Sequence, residues 1–109
     1  MNTIRQSLFD VNVPQEIWAD LVTIDGPAQV IRFSGIACYS DLFTEFQFVN
    51  VRTGLVMYEV FRFGMDFGWS NWSNMNPCFL SVQHGNQIAL RVKASRQCQL
   101  AGVLEYRLL

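Results

Sequence analysis

Gln87-Ile-Ala-Leu-Arg-Val-Lys-Ala94 and, past Ser95-Arg-Gln97, Cys98-Gln-Leu-Ala-Gly-Val-Leu-Glu-Tyr-Arg-Leu108 decide how this chain folds. In the first run Ile88, Leu90, Val92 and Ala94 alternate with Gln87, Ala89, Arg91 and Lys93. In the second, Cys98, Leu100, Gly102, Leu104, Tyr106 and Leu108 alternate with Gln99, Ala101, Val103, Glu105 and Arg107. A period of two means strands with one face in a core and the other partly wet. The link Ser95–Gln97 leaves two arrangements open. If it is a tight hairpin, Val92 lies beside Leu100 and Ile88 beside Leu104 in one sheet. If it crosses the top of a sandwich, the same rows face each other across the core. The alternation is compatible with both.

Upstream, the chain continues in the same style. Cys78–Gln83 reads as a strand, and His84-Gly-Asn86 turns it into the final pair. Leu55–Phe63 is strand-like with Val56, Tyr58 and Val60 on one side and Leu55, Met57, Phe61 and Phe63 on the other. Apolar residues on both faces predict a central strand or one that faces another subunit. Glu45–Val51 is a strand ended by the turn Arg52-Thr-Gly54, and Ala28–Cys38 is another, with Gly35 as a bulge or close-approach point. Asp25-Gly-Pro27 is a turn. Pro14 opens either a helical turn through Trp18 or a strand running from Ile17 to Ile24. Residues 1–13 are expected to form an N-terminal arm or edge strand, with Ile4, Leu8, Phe9 and Trp18 as candidate subunit contacts. Residues 14–109 form the domain proper. Gly64–Pro77 is the longest irregular stretch. Seven or eight strands without a convincing helix predict a single all-β domain: an antiparallel β-sandwich, with a jelly roll as the expected form.

Composition narrows the function. In 109 residues, 50% are hydrophobic and only 16% charged, with nine Phe, three Trp and three Tyr. A lone domain of this size has trouble hiding that much apolar surface, so contact with other subunits or a partner is expected. Seven Arg and one Lys are scattered singly and the net charge is -1, which excludes the basic stripe that nucleic acid requires. No apolar run approaches the length of a membrane span, and Met1–Asp10 lacks the apolar core of a secretory leader. Cys38, Cys78 and Cys98 are odd in number and far apart, without the paired spacing of a metal site, and are expected as reduced, buried thiols. No metal or cofactor is expected.

Val82-Gln-His-Gly-Asn-Gln-Ile-Ala-Leu-Arg-Val92 followed by Leu100-Ala-Gly-Val-Leu-Glu-Tyr106 resembles the last two strands of small trimeric jelly rolls. These include the tumour-necrosis-factor and C1q-like domains and the decoration, or cement, and fibre proteins of bacteriophage virions. In them a Gly-polar-polar turn enters an alternating strand, and the last strand carries a small residue near its middle. The chain is short for a C1q-like domain and has no collagen-like stalk, so the virion proteins are the nearer likeness. The resemblance implies a non-enzymatic virion component, made in a host cytoplasm. It would associate with itself as a homotrimer and with a larger lattice such as a major capsid protein.

Other readings attach to single motifs. Trp69-Ser-Asn-Trp-Ser73 matches the Trp-Ser-x-Trp-Ser box of class I cytokine receptors, but here at least three strands follow it rather than one. Trp69 and Trp72, helped by Tyr39, Asn74 and Asn76, form a candidate stacking platform for a sugar ring, since flat sugar faces stack on aromatic rings and amides bind hydroxyls. The alternative is that both rings close the barrel or pack on a neighbour. Glu59 and Glu105 are the candidate carboxylate pair for glycoside hydrolysis, against the plainer expectation that each pairs with a cross-strand Arg such as Arg62, Arg91 or Arg107. His84 stands alone in its turn.

Overall fold

The computed structural model describes residues 4–67 and 76–109. Its strands are β1 (Ile4–Val13), β2 (Ala19–Asp25), β3 (Ala28–Ala37), β4 (Phe43–Asn50), β5 (Val56–Phe63), β6 (Asn76–Val82), β7 (Gln87–Ala94) and β8 (Cys98–Leu108). They form two four-stranded sheets, ordered β1-β8-β3-β6 and β2-β7-β4-β5, with every pair antiparallel. Only β4 and β5 are joined by a hairpin; every other connection passes from one sheet to the other. That winding is a jelly roll.

The Ser95–Gln97 link therefore crosses between sheets, and Val92 and Leu100 enter the same core from opposite sheets. Local chemistry favours the crossing. A two-residue hairpin needs positive φ in its loop, and no residue of this link adopts it. The end of β7 is instead pinned to β4, with Ser95 N donating to the Phe43 carbonyl at 2.9 Å and Phe43 N donating to Ser95 Oγ at 3.0 Å. The β4–β5 hairpin has the opposite chemistry. Gly54 takes φ 75°, and Asn50 Oδ1 accepts from Arg52 N and Thr53 N at 3.0 and 3.1 Å.

Between the sheets the core is aromatic. Phe33 of β3 meets Phe46 and Phe48 of β4 at ring separations of 5.0 and 5.9 Å, and Phe67 closes on Phe46 at 5.2 Å. Phe67 reaches this position because its N–H donates to the Gly35 carbonyl at 2.7 Å, extending the edge of β3. Gly35 and Gly102 are paired residues on β3 and β8. A Cβ on Gly35 would stand 2.9 Å from the Ala101 carbonyl oxygen. The close approach expected at Gly35 is thus a close packing of backbone on backbone.

Two alternatives left open by the sequence are resolved. Residues 14–18 form no helical turn: Gln15 makes an isolated bridge to Ala94, Glu16 takes φ 58°, and Glu16 N donates to the Ala94 carbonyl. The segment is tied to β7 before it can coil. β5 is not central but the edge of its sheet, and among the described residues nothing covers its outward side chains.

Candidate interaction surfaces

β1 and β8 run in unbroken register, so Leu8 stands opposite Val103 and Asp10 opposite Ala101. On the other side of β8, Val103 stands opposite Ser34 and Ala101 opposite Ile36. Alternation sends Phe9, Val13, Leu100 and Leu104 inward and Leu8, Val103, Ala101 and Ile36 outward. An apolar stripe results on the outer face of the first sheet, with Leu8 77% exposed. Polar groups border it on both sides. Glu105 accepts from Arg32 Nε at 2.8 Å and from Gln6 Nε2 at 3.2 Å, and Gln99 Nε2 donates to Asp10 Oδ1. An apolar patch with a satisfied polar rim is the composition of a docking face.

The outer face of the second sheet divides into a polar and an aromatic half. Arg91 Nη2 donates to Gln47 Oε1 at 2.6 Å, and Gln47 Nε2 donates to Glu59 Oε2 at 2.6 Å, forming a ladder across three strands. Lys93 Nζ lies 3.8 Å from Glu45. The Trp18 ring lies beneath both cations, 4.7 Å from the Arg91 guanidinium carbon and 5.4 Å from Lys93 Nζ. Toward the other end the ladder gives way to rings: Phe43 and Phe61 stack at 6.0 Å, and Phe63, opposite Phe43, is 73% exposed.

The candidate residues named from sequence do not gather in one place. Ile4 and Leu8 are exposed on the outer face of β1, but Phe9, grouped with them as a contact, is 6% exposed and belongs to the core. Alternation requires one of the adjacent Leu8 and Phe9 to turn in, and β1 turns in the ring. Trp18 is half-buried under its two cations. Tyr39 has the Arg96 guanidinium 3.9 Å over its ring, and Arg96 is held there by Asp41 at 2.9 and 3.1 Å. Asn76 begins β6 opposite Phe33. Trp69, Trp72 and Asn74 lie outside the described residues. Glu59 and Glu105 sit on the outer faces of different sheets, so they do not form a carboxylate pair. Glu105 takes Arg32 as its partner rather than Arg91 or Arg107. A shallow hollow of about 250 Å³ beside the ladder is lined by Asp20, Val49, Asn50 and Arg91, and neither glutamate reaches it. Among the described residues Phe63 and Phe79 are the most exposed rings, with Phe43 and Ile36 less so and Val103 half-buried, and none of these was singled out by sequence as a contact. Their signal was an apolar residue on the wet side of an alternating strand.

The cysteines are all free thiols, but only Cys98 is fully buried; Cys38 is exposed just past β3, which corrects the expectation of three buried thiols. Burial pushes the Cys78 thiol from its ordinary 9.0 up to about 12, with a backbone hydrogen bond from Phe79 acting in the other direction. The folded chain therefore keeps a proton that the unfolded chain releases above pH 9. Stability from this group is intact below pH 9 and is lost as pH rises toward 12. At pH 8 a thiol reagent is expected to modify Cys38 rapidly and Cys78 and Cys98 only after urea unfolding. Mass spectrometry of the labelled chain checks this, and rapid labelling of Cys78 in the native state would contradict it.

No family model matches this sequence, and no curated protein matches it either. Solved structures do. A chain of the cyanophage Pam1 capsid asymmetric unit superposes with a TM-score of 0.55 at 11% identity, covering 99% of this chain and 86% of that one. The likeness is one of fold. A chain of the infectious bursal disease virus VP2 subviral particle superposes with a TM-score of 0.50 at 11% identity, over 98% of this chain and 33% of that one. This chain thus spans about a third of that second protein's length.

Proposed function

We propose that this chain is a non-enzymatic structural component of a virus particle, of the decoration or cement kind. It binds a larger protein lattice through the outer face of β1, β8 and β3. The observation that carries the reading is the apolar stripe Leu8–Val103–Ala101–Ile36, exposed at Leu8 and Ile36 and half-buried between them, on a jelly roll whose own core is already filled. Two further points support it. Virus-coat chains share the fold, and the matched capsid chain is close to this one in length. The catalytic alternative lost its one candidate pair when Glu59 and Glu105 fell on opposite faces.

The mechanism is additive. Each copy that bridges neighbouring lattice subunits binds the assembled shell and not its dissociated parts, so it stabilises the shell by mass action. Removing a residue at the centre of such a patch costs more than about 1.4 kcal/mol, or tenfold in occupancy. Leu8→Asp is the substitution of choice, because Phe9 and Val13 of the same strand are core residues and deletion of the whole segment would unfold the domain. Particles encoded by the same genome are expected to carry the wild-type chain at a fixed copy number per shell subunit, measured by quantitative mass spectrometry. Leu8→Asp is expected to lower that occupancy at least tenfold with the melting temperature unchanged. Absence of the wild-type chain from purified particles, or undiminished occupancy of the variant, would overturn the reading.

A further inference from the structure

The jelly roll has four edge strands, and three of them are protected. β2 carries a bulge after Asp20, β6 carries Pro77 and a register shift opposite Val30, and β1 presents Arg5, Gln6, Asp10 and Asn12. Pro, bulges and polar side chains are the usual means of keeping an edge from pairing with another chain. β5, Val-Met-Tyr-Glu-Val-Phe-Arg-Phe, has no Pro and no Lys; its one register shift lies at its start, where the ladder with β4 skips Met57, and from Tyr58–Phe48 to Phe63–Phe43 the ladder is regular.

The direction of its backbone groups follows from one bond. Gly64 N donates to the Leu42 carbonyl at 2.8 Å, so Gly64, Arg62, Val60 and Tyr58 aim their N–H and C=O groups at β4. Glu59, Phe61 and Phe63 then aim theirs the other way, where among the described residues no strand lies. These same three residues point their side chains to the outer face, where Phe61 and Phe63 are half to three-quarters exposed.

We propose that β5 is a self-pairing edge: two copies of the chain join β5 to β5 about a two-fold axis, making one continuous eight-stranded sheet. Antiparallel pairing about a two-fold sets opposite residues at a constant sum of numbers, and charge selects the sum. Centring the axis on Glu59 puts two carboxylates opposite each other, and centring it on Arg62 puts two guanidinium groups opposite each other; both cost energy. Centring it on Phe61 runs the ladder into Gly64, whose φ of 107° is not that of a strand. Centring it on Val60 pairs Glu59 with Phe61 of the second copy and Tyr58 with Arg62. No like charges meet, and the ladder runs over the regular part of β5, short of the register shift at Met57.

The seam covers the backbone edge of β5 and the flanks of Phe61 and Phe63, while the outward faces of both rings stay open. It is a small contact that depends on its main-chain bonds. The main-chain bonds of an added strand give affinity and the flanking side chains give register. This contact is two-fold, unlike the threefold expected from the resemblance, and it concerns the free protein whether or not the chain decorates a shell.

Sedimentation equilibrium of the purified chain tests it. The wild type is expected to be a dimer at micromolar concentration. Glu59→Pro removes an edge N–H and places no side-chain charge at the seam, and is expected to weaken dimerisation at least a hundredfold. Phe61→Ala leaves the backbone bonds in place and removes the ring opposite Glu59 at both symmetry-related positions, and is expected to weaken dimerisation at least tenfold. Near-ultraviolet circular dichroism of Phe61→Ala checks that the domain itself is folded. A monomeric wild type, a trimer, or a dimer indifferent to both substitutions would overturn the proposal.

Discussion

Phe33→Ala is expected to cost about 3–5 kcal/mol and to lower the melting temperature by roughly 15–30 °C. Phe33 is 1% exposed, and its ring touches both Phe46 and Phe48 of the facing sheet. Truncation leaves a hole between two sheets rather than beside a helix. Each sheet is a hydrogen-bonded unit that cannot bend locally to fill it, so little of the cavity cost is relieved. Against a total stability of about 5–15 kcal/mol, this single change removes a large share. Phe63→Ala is the control, because the same chemical deletion at a mostly exposed ring is expected to shift stability by less than about 0.5 kcal/mol. Urea titration of both variants separates burial from aromatic content. Equal effects at Phe33 and Phe63 would mean that the core is not where the rings of β3 and β4 place it.

The same contrast shows what the sequence made legible. Alternation in 87–94 and 98–108 identified β7 and β8 and their inward rows almost residue by residue, because a half-buried strand writes its period into the chain. It left the sheet assignment open, since a hairpin and a crossing bury the same rows. The deciding contact, Ser95 with Phe43, joins positions 52 apart. For β5 the pattern was clear and the inference from it incomplete. Apolar residues on both faces signify two covered faces only when the chain supplies both covers, and a four-stranded sheet in a two-layer fold supplies one. Leu8 and Phe9 show the residual ambiguity at its smallest. Alternation says that one of two adjacent apolar residues turns inward, but only pairing with β8 fixes which. The sugar platform rested on Trp69 and Trp72, outside the described residues, and its one described aromatic partner, Tyr39, already carries Arg96 on its ring.

Gly102→Ala, the addition of one methyl group, is expected to destabilise the domain by about 3 kcal/mol or more, at the upper end of overpacking effects. Its φ is ordinary, so the requirement is space rather than conformation. A Cβ there would overlap the Ser34 carbonyl oxygen and the Phe9 ring and stand 2.8 Å from the Gly35 Cα. The ring has room to move, but the carbonyl and Cα belong to β3, hydrogen-bonded to β8 along its length. Accommodating the methyl group therefore means separating the two central strands of the first sheet, not rotating a side chain. The double variant Phe9→Leu/Gly102→Ala tells the two obstacles apart. If backbone is the constraint, shortening the ring recovers only a minor part of the lost stability, and the denaturation midpoint stays well below that of Phe9→Leu alone. Full recovery would show that the glycine is kept for Phe9. That would remove the close approach of β3 and β8 as the reason a glycine stands at the middle of the last strand.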